Sequence, residues 1–383
     1  MVKKIFLRLC MMIMFIGLVI VIYASDREGI DFENEKCLAA VELSEDEQID
    51  RWIVNKNLND VAIIIEEKKW GLISEITTYF VYHNGNRSEA YDKVYGLTFS
   101  PDGKQLAYTA EIDGKCYVVC GKEKSEAYDI VYELTFSPDG RQLAYIAVTD
   151  DKYYVVCEKE KSKAYDEVWD LTFSPDGRQL AYAAKIDGKW YVVCGKEKSE
   201  PYDFAGYPTF SPDGKQLAYI AEIDGKCYVV CGKEKSEPYD FAGYPTFSPD
   251  GKQLAYIAKV GVKWYIVCGK EKSAAYDGVG YFTFSPDGKK LAYIAVTDDK
   301  YYVVCGKEKS AAYDEVGYFT FSPDGKKLAY IAVTDDKYYV VCGKEKSKAY
   351  DKVCWIEFSP DGKQLAYVTR EGNEFWKRIM KVE

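Results

Sequence analysis

A Phe-Ser-Pro-Asp-Gly pentapeptide occurs eight times in this chain, and each copy stands 37 residues after the one before it. The phenylalanines are at positions 99, 136, 173, 210, 247, 284, 321 and 358. A fixed interval of about 20 to 50 residues is typical of proteins that repeat one supersecondary unit. Such a unit buries its apolar faces only by stacking on its neighbours. The 383 residues are therefore best divided into repeats instead of independent domains.

Each repeat contains apolar or alternating segments separated by turn signals. In the copy that starts at Tyr281, we predict strands over 281–285, 291–296 and 301–305, and a short fourth strand over 312–316. Pro-Asp-Gly fits a tight turn because proline fixes φ, aspartate bonds the following backbone and glycine accepts positive φ. Strands two and three are apolar on both faces, as expected for a sheet between two neighbours. The sequence therefore predicts an all-β fold, a single β-propeller of four-stranded antiparallel blades.

The same interval extends towards the N-terminus, beyond the pentapeptide copies. Shifted by 37 residues, Val61–Ile65 overlays strand one of the next unit, and Tyr79–His83 overlays strand three. We therefore predict a degenerate blade over 59–95 ahead of eight repeat units at 96–383, which makes nine blades. Eight blades is the alternative, and it leaves the apolar stretch Val61–Ile65 without a place.

The two ends of the array predict how the ring closes. The last unit has no fourth strand, and residues 51–58 stand in the strand-four phase of the repeat. We expect this N-terminal latch strand to complete the C-terminal blade, so that no sheet edge stays open. Ser44 and Glu47 have the spacing of a helix capping box, which predicts a short helix leading to residue 51.

The first 24 residues have the composition of an export signal. Three basic residues precede an apolar run from Leu9 to Tyr23, and Ala24 is a small residue at a possible cleavage point. The run is shorter than the about 20 residues that span a bilayer, which favours a cleaved signal peptide. An uncleaved anchor over 5–24 is the alternative, and an acidic linker over 25–50 follows. The protein is expected to be exported, to the periplasm or the extracellular space.

Seven of the twelve cysteines stand in one column of the repeat, at the end of strand three. They are Cys120, Cys157, Cys194, Cys231, Cys268, Cys305 and Cys342. Equivalent positions on stacked sheets are about 10 Å apart, beyond the about 7 Å between Cα atoms that a disulfide allows. We predict buried free thiols that pack as small apolar residues.

The sequence contains little that supports catalysis or cofactor binding. It has 61 Asp and Glu against 51 Lys and Arg, interleaved, which does not suit binding to nucleic-acid phosphates. The one histidine, His83, stands in the cysteine column and is interpreted as a packing residue. No nucleophile elbow, phosphate-binding glycine loop or paired-histidine zinc motif is present. We expect no enzyme, no cofactor and no metal.

An aspartate follows a tyrosine once in every repeat, from Asp92 through Asp351. One carboxylate per blade cannot supply the about six to eight oxygens that calcium needs. We therefore expect each aspartate to bond nearby backbone or hydroxyl groups, and a calcium site is the alternative.

The stretch FSPDGKQLAY at Phe99–Tyr108, repeated with small changes in the later units, resembles the WD-like repeat of TolB-type β-propellers. The resemblance is strong over the eight repeat units and weak over the first blade. It implies a propeller, often exported, that binds proteins or envelope components. The motif is structural, so the resemblance implies no catalytic residue.

The copies differ mainly on one face of the array. The Pro-Asp-Gly turns and the Lys-Glu-Lys-Ser connections share a constant face, whereas the strand 4–1 and 2–3 connections vary and share the opposite face. There we predict a binding site made of Tyr95, Tyr132, Glu133, Trp169, Asp170, Tyr207, Tyr244, Tyr281, Tyr318 and Trp355. Packing of these aromatic residues between blades is the alternative interpretation.

Within that set, the first three aromatic residues stand one position earlier than the others, and Glu133 and Asp170 take the vacated place. Because successive strand residues point to opposite sides, we expect the early aromatics to leave the side of the later ones. The first expectation for function is an exported, monomeric, non-catalytic propeller that binds a protein of the cell envelope. A lectin-like propeller for carbohydrate or a small ligand is the alternative, and a carboxylate hydrolase using Glu133 and Asp170 is a third.

Overall fold

The computed structural model describes residues 43–54, 61–71, 74–371 and 374–382. These residues form 35 strands and no helix, arranged as nine antiparallel sheets that we number in chain order. Eight sheets have four strands, and the ninth has three. The chain is therefore all-β, built from the repeated four-stranded sheets of a β-propeller, and the prediction of fold class is confirmed.

The strands have the following bounds. The first sheet is β1 (Glu47–Val54), β2 (Val61–Trp70), β3 (Glu75–His83) and β4 (Asn86–Arg87). The second to fifth sheets are β5 (Lys93–Phe99), β6 (Leu106–Ile112), β7 (Lys115–Cys120), β8 (Glu123–Lys124), β9 (Ile130–Phe136), β10 (Leu143–Thr149), β11 (Lys152–Cys157), β12 (Glu160–Lys161), β13 (Glu167–Phe173), β14 (Leu180–Ile186), β15 (Lys189–Cys194), β16 (Glu197–Lys198), β17 (Phe204–Phe210), β18 (Leu217–Ile223), β19 (Lys226–Cys231) and β20 (Glu234–Lys235). The remaining sheets are β21 (Phe241–Phe247), β22 (Leu254–Val260), β23 (Lys263–Cys268), β24 (Glu271–Lys272), β25 (Gly278–Phe284), β26 (Leu291–Thr297), β27 (Lys300–Cys305), β28 (Glu308–Lys309), β29 (Glu315–Phe321), β30 (Leu328–Thr334), β31 (Lys337–Cys342), β32 (Glu345–Lys346), β33 (Lys352–Phe358), β34 (Gln364–Glu371) and β35 (Glu374–Lys381).

The predicted latch is wrong. Strand β1 pairs with β2 as strand one of the first sheet, and the described ninth sheet contains only β33, β34 and β35. The expected linker also ends early, because β1 begins at Glu47 inside it. Residues 55–58 of the proposed latch lie outside the described residues.

The reason is an insertion that breaks the 37-residue interval in the first sheet. Ala62 pairs with His83 as Ala107 pairs with Cys120, so Ala62 is equivalent to Ala107, 45 positions later, whereas His83 and Cys120 are 37 apart. Val61–Trp70 is therefore strand two, not strand one as predicted, and the strand-one role falls to β1. The capping-box pattern forms a turn instead of a helix, because Ser44 N–H donates to Glu47 Oε2 and β1 then starts at once.

The pentapeptide turns stack along the array. In the second sheet, Ser100 Oγ donates to Asp102 Oδ1 at 2.6 Å, and Gln105 N–H donates to Ser100 Oγ at 2.9 Å. Gly140 in the next turn has φ of 69° and lies against Ser100 and Asp102, where a Cβ would be 3.5–3.6 Å from their side chains. The motif is thus scaffold, as the sequence predicted.

The repeated aspartates join neighbouring hairpins. Asp129 accepts from Lys115 Nζ of the second sheet at 2.5 Å and from Asp150 N–H of the third sheet at 2.9 Å. The tyrosine before each aspartate contributes to the same interface. The Tyr128 and Tyr145 hydroxyls, for example, are 3.4 Å apart. The prediction that these carboxylates organise the blades through hydrogen bonds is confirmed.

The core consists of the interfaces between successive sheets. Ala292 and Ile294 of the seventh sheet pack with Phe319 and Tyr330 of the eighth, and Phe319 is fully buried. Strand-one neighbours also touch, including β9 with β13 and β13 with β17, which places strand one of each sheet towards a common axis. Strand one is therefore the inner strand of each blade.

The cysteine column is less buried than predicted, since only Cys342 is buried and the other six thiols are half-buried. The nine cysteines whose side chains the structure describes are free thiols, and Cys120, for example, lies 3.6 Å from the Gln105 amide oxygen. Burial raises the pKa of Cys157, Cys268 and Cys342 to about 11, so these thiols stay protonated and unreactive near neutral pH. His83 packs in the same column with its ring 5.4 Å from that of Phe99.

One buried hydroxyl conflicts with its surroundings and provides a test of the core. Thr109 is fully buried, and within the described structure its Oγ1 has no hydrogen-bond partner. The equivalent residues of the next sheets are apolar, for example Ile146. We expect Thr109→Val to stabilise the second sheet by about 1 kcal/mol, because the cost of burying an unpaired hydroxyl is removed. Hydrogen exchange of β6 amides measures this, and faster exchange in the variant would contradict it.

Candidate functional site

Each inner strand has a bulge at the position that the sequence marked as variable. In the fifth sheet the pairing of β17 with β18 shifts between Gly206 and Thr209. In the third, fourth and fifth sheets the first residue left unpaired has positive φ: 50° at Glu133, 62° at Asp170 and 56° at Tyr207. These three residues occupy the same place in consecutive sheets, as predicted, and the bulge turns them away from the regular alternation of the strand.

The two carboxylates bind the backbone of the next sheet. Glu133 accepts hydrogen bonds from the N–H groups of Asp170 at 3.3 Å and Leu171 at 3.0 Å. Asp170 in turn accepts from Tyr207 N–H at 2.8 Å. The next residue is Pro208, which has no N–H to satisfy. Each acid therefore holds the backbone groups that the adjoining bulge leaves without a ladder partner.

These carboxyls lie in a crowded part of the inner surface. Burial raises the pKa of Glu133 and of Asp170 above the ordinary values, and the backbone hydrogen bonds oppose that shift. Glu133 nevertheless keeps an exposed surface and Asp170 is half-buried, so contact with solvent limits the effect. Both groups carry hydrogen bonds from the backbone of the next sheet.

Five aromatic side chains of consecutive inner strands remain open to solvent, and we call them the aromatic arc. One comes from each of the third to seventh sheets, and each is 41–49% exposed. They are Tyr132, Trp169, Tyr207, Tyr244 and Tyr281. The early and late positions are equally exposed: Tyr132 and Trp169 are as open to solvent as the three tyrosines that follow them. The arc is the part of the predicted site that the structure brings together.

Three rings of the arc make contacts with other aromatic rings. The centroids of Tyr207 and Tyr244 are 6.3 Å apart. Tyr281 lies 4.9 Å from the buried ring of Phe319 and 6.1 Å from Tyr318. These separations are in the range for favourable aromatic pairs, so Tyr207, Tyr244 and Tyr281 are held by ring contacts while each stays 41–49% exposed.

Three predicted site residues do not join the arc. Tyr95 packs into the interface with the third sheet, and its hydroxyl lies 2.8 Å from Cys116 Sγ. Burial raises the pKa of this Tyr95 hydroxyl. Tyr318 is partly buried against the ninth sheet. The Trp355 side chain lies outside the described residues.

The described residues offer no group of three or more His, Cys, Asp and Glu side chains that could hold a metal ion. The arc itself presents aromatic rings and backbone, with its two acids already hydrogen-bonded. Such a surface suits contacts with apolar or cationic groups of a ligand, because ring faces attract both.

No protein-family model matches this chain, and no curated protein sequence matches it either. Among solved structures it is similar to the β-propeller domain of the Trilobed protease from Pyrococcus furiosus, which has an open velcro topology. That match has 13% identity and a TM-score of 0.34, covering 80% of this chain and 96% of that one. An oligogalacturonate lyase in complex with manganese matches at 15% identity and a TM-score of 0.35, covering 76% and 98%. The Dos1 propeller matches at 10% identity and a TM-score of 0.37, covering 83% of this chain and 89% of that one.

Proposed function

We propose that this chain is an exported, non-catalytic binding module that holds a protein partner of the cell envelope on the aromatic arc. The observation that carries the proposal is the run of five half-exposed aromatic side chains on five consecutive inner strands. Exposing that much aromatic surface costs free energy unless a partner covers it. Tyrosine and tryptophan are also the residues that most often dominate binding energy at protein interfaces.

The carboxylates support a binding role over hydrolysis. A two-acid hydrolase needs one carboxyl to donate a proton and the other to act as base or nucleophile. Glu133 and Asp170 instead accept backbone hydrogen bonds from the adjoining sheets. The resemblance of the pentapeptide repeat to TolB-type propellers supports export and an envelope partner, and the protein is proposed to act as a monomer.

Arc variants test this function. Partners are captured by cross-linking the full chain in envelope extracts, and each captured protein is then purified and titrated. We expect Trp169→Ala with Tyr244→Ala to weaken the bound complex at least about tenfold, because interface aromatics contribute about 1–2 kcal/mol or more each. Lys215→Ala is the control, since the Lys215 side chain is 80% exposed beside a Pro-Asp-Gly turn on the constant face.

The other outcomes decide against the proposal. Equal capture by the double variant and by Lys215→Ala would remove the arc as the site. Binding on a glycan array that the double variant loses would favour the lectin-like alternative. If the protein hydrolyses a substrate and Glu133→Gln abolishes that activity, the function is catalysis and not binding alone.

A further inference from the structure

The strand 2–3 turn of the sixth sheet is apolar, whereas the same turns of its neighbours are acidic. In the second to fifth, seventh and eighth sheets these tips carry nine aspartates, one or two in each, such as Asp298 and Asp299 of the seventh. The same two positions of the sixth tip hold Gly261 and Val262. Val262 is 79% exposed and Val260 is 45% exposed. One hairpin therefore presents aliphatic side chains to solvent within an acidic face.

The backbone explains how a valine fits at this tip. Asp298 and Asp299 have φ of 51° and 57°, the pattern of a type I′ turn, and a β-branched residue avoids that region. At the sixth tip Gly261 has φ of 59° and Val262 lies outside that region, which is the pattern of a type II′ turn. The Gly261 N–H donates to the Asp240 carboxylate at 2.6 Å. The tip is thus a fixed part of the surface.

Apolar side chains connect this tip to the aromatic arc. Tyr244 of the arc follows Gly243, which pairs with Ile257, four residues or about 13 Å from the tip along the hairpin. Between them the Phe241 ring lies over Gly243, where an added Cβ would be 2.9 Å from it. Phe241 also packs on Trp264, with 5.4 Å between the ring centroids. A bound segment of a few residues can therefore contact the arc and the sixth tip together.

The lysines of this face do not neutralise its acidic tips. Lys115 binds Asp129 of the next connection, and equivalent pairs recur as far as Lys337 with Asp351. Asp150 of the third tip also contributes to the raised pKa of Lys115, although the hydrogen bond with Asp129 is the first cause. At each interface with an acidic tip, one such lysine therefore faces two or three carboxylates.

The other charges on the inner part of this face leave the balance acidic. Lys93 lies 3.7 Å from Glu111, and Lys185 lies 2.7 Å from Glu167, so these groups pair with each other. Besides the two inner acids already described, the second to eighth sheets add one lysine and two glutamates at the ends of these strands: Lys259, Glu222 and Glu315. The lysine lies over the Trp264 ring at 4.9 Å. A field of this sign attracts cationic groups and repels acidic partners.

We propose that the partner of the aromatic arc docks through a basic polypeptide segment, with lysine or arginine side chains towards the aspartate tips and an apolar side chain on Val260 and Val262. The inference rests on the proposed function, because it names the chemistry of the partner bound there. Opposite charge steers the approach and sets the choice of partner, whereas the valines and the arc supply apolar contact. The same field disfavours acidic proteins and nucleic acids.

A library of random peptides displayed on phage, selected on the full chain, provides the probe. We expect the selected peptides to be rich in lysine and arginine around an aliphatic or aromatic residue. One of them is synthesised and titrated by fluorescence polarisation. Val262→Asp, which gives the sixth tip the residue of the seventh, should weaken binding about tenfold although it adds a negative charge, because a buried valine contact is lost.

Two further variants separate charge from apolar contact. Asp298→Asn with Asp299→Asn should weaken binding several-fold at low salt and reduce its salt dependence, because an attractive charge pair is removed. Lys215→Ala on the constant face is the control and should bind as the wild type does.

The results that overturn the inference differ from those that overturn the proposed function. Selection of acidic or uncharged peptides, or wild-type affinity in either tip variant, would overturn the basic segment. If Trp169→Ala with Tyr244→Ala still loses the peptide in that case, the arc stays the binding site. Peptides that bind the arc variant and both tip variants equally well would overturn the inference and the proposed function together.

Discussion

Phe319→Ala is expected to lower the free energy of local opening of the seventh and eighth sheets by about 3–5 kcal/mol. The Phe319 side chain is fully buried between Ile294 and Tyr330, so its removal leaves a cavity that the two packed sheets cannot fill. The effect should be local, because each unit of a repeat array depends on its nearest neighbours. Hydrogen exchange of β26 and β30 amides measures it, with β10 and β14 as internal reference strands.

The repeat supplies a matched control for this change. Sheets two to four carry leucine at the equivalent place, for example Leu134. Phe319→Leu keeps most of the apolar volume and should cost about 1 kcal/mol. Because Tyr281 packs on Phe319 at 4.9 Å, the alanine variant should also loosen one end of the aromatic arc. Equal exchange in the alanine and leucine variants would show that the pocket collapses and that packing here is not specific.

The repeat interval predicts most of the fold because its causes are local. The Ser100 and Asp102 side chains form the pentapeptide turn within five residues, and Asp129 finds its backbone donor at a fixed offset in the next hairpin. Both arrangements recur in each repeat that has the same residues at these positions. The first sheet does not follow the 37-residue interval. The additional pairs between Lys68 and Thr77 shift strand two relative to the repeat, and no turn motif in the sequence marks that insertion.

The site was harder to predict because it depends on contacts between repeats. Alignment of the repeats shows that Glu133 and Asp170 stand where later repeats have tyrosine. Only the structure shows that these carboxylates accept hydrogen bonds from the N–H groups of the bulge in the next sheet. One feature of the sequence could have indicated this role. Pro208 follows Tyr207 and has no N–H, so Asp170 binds only the Tyr207 N–H at that bulge. Likewise Tyr95 and Trp169 look equivalent in sequence, yet Tyr95 packs against Cys116 and Trp169 stays exposed.

Acid is expected to lower the stability of the array as the pH falls from about 4 to about 2. The aspartates of the pentapeptide turns have lowered pKa values, about 2 for Asp102, Asp213 and Asp324, and the first cause is the hydrogen bond from the serine hydroxyl two residues before. A carboxyl whose pKa is depressed on folding stabilises the fold above its unfolded value, which is near 3.8. That contribution is lost as the pH falls towards the folded value, and it is repeated in all eight turns.

The aspartates that join neighbouring hairpins add to this loss, whereas the two acids of the inner strands oppose it. Asp129 has a lowered pKa, first through the hydrogen bond from Lys115, so it too destabilises the fold when protonated. Glu133 and Asp170 have raised pKa values, so their protonation favours the folded state as the pH falls. These two carboxyls are outnumbered by the aspartates with lowered pKa values, which recur along the array. The net effect of acid on the free energy of unfolding is therefore destabilising.

Urea unfolding followed by circular dichroism at several pH values measures this dependence. We expect a nearly constant midpoint from pH 7 to about pH 4 and a steep fall below it. Because the main cause is a short hydrogen bond and not long-range attraction, the fall should persist in high salt, which screens exposed charges. Ser322→Ala removes the hydrogen bond to Asp324 and should flatten the acid dependence of exchange in the eighth sheet alone. A protein equally stable at pH 7 and pH 2 would show that these hydrogen bonds contribute nothing to folding.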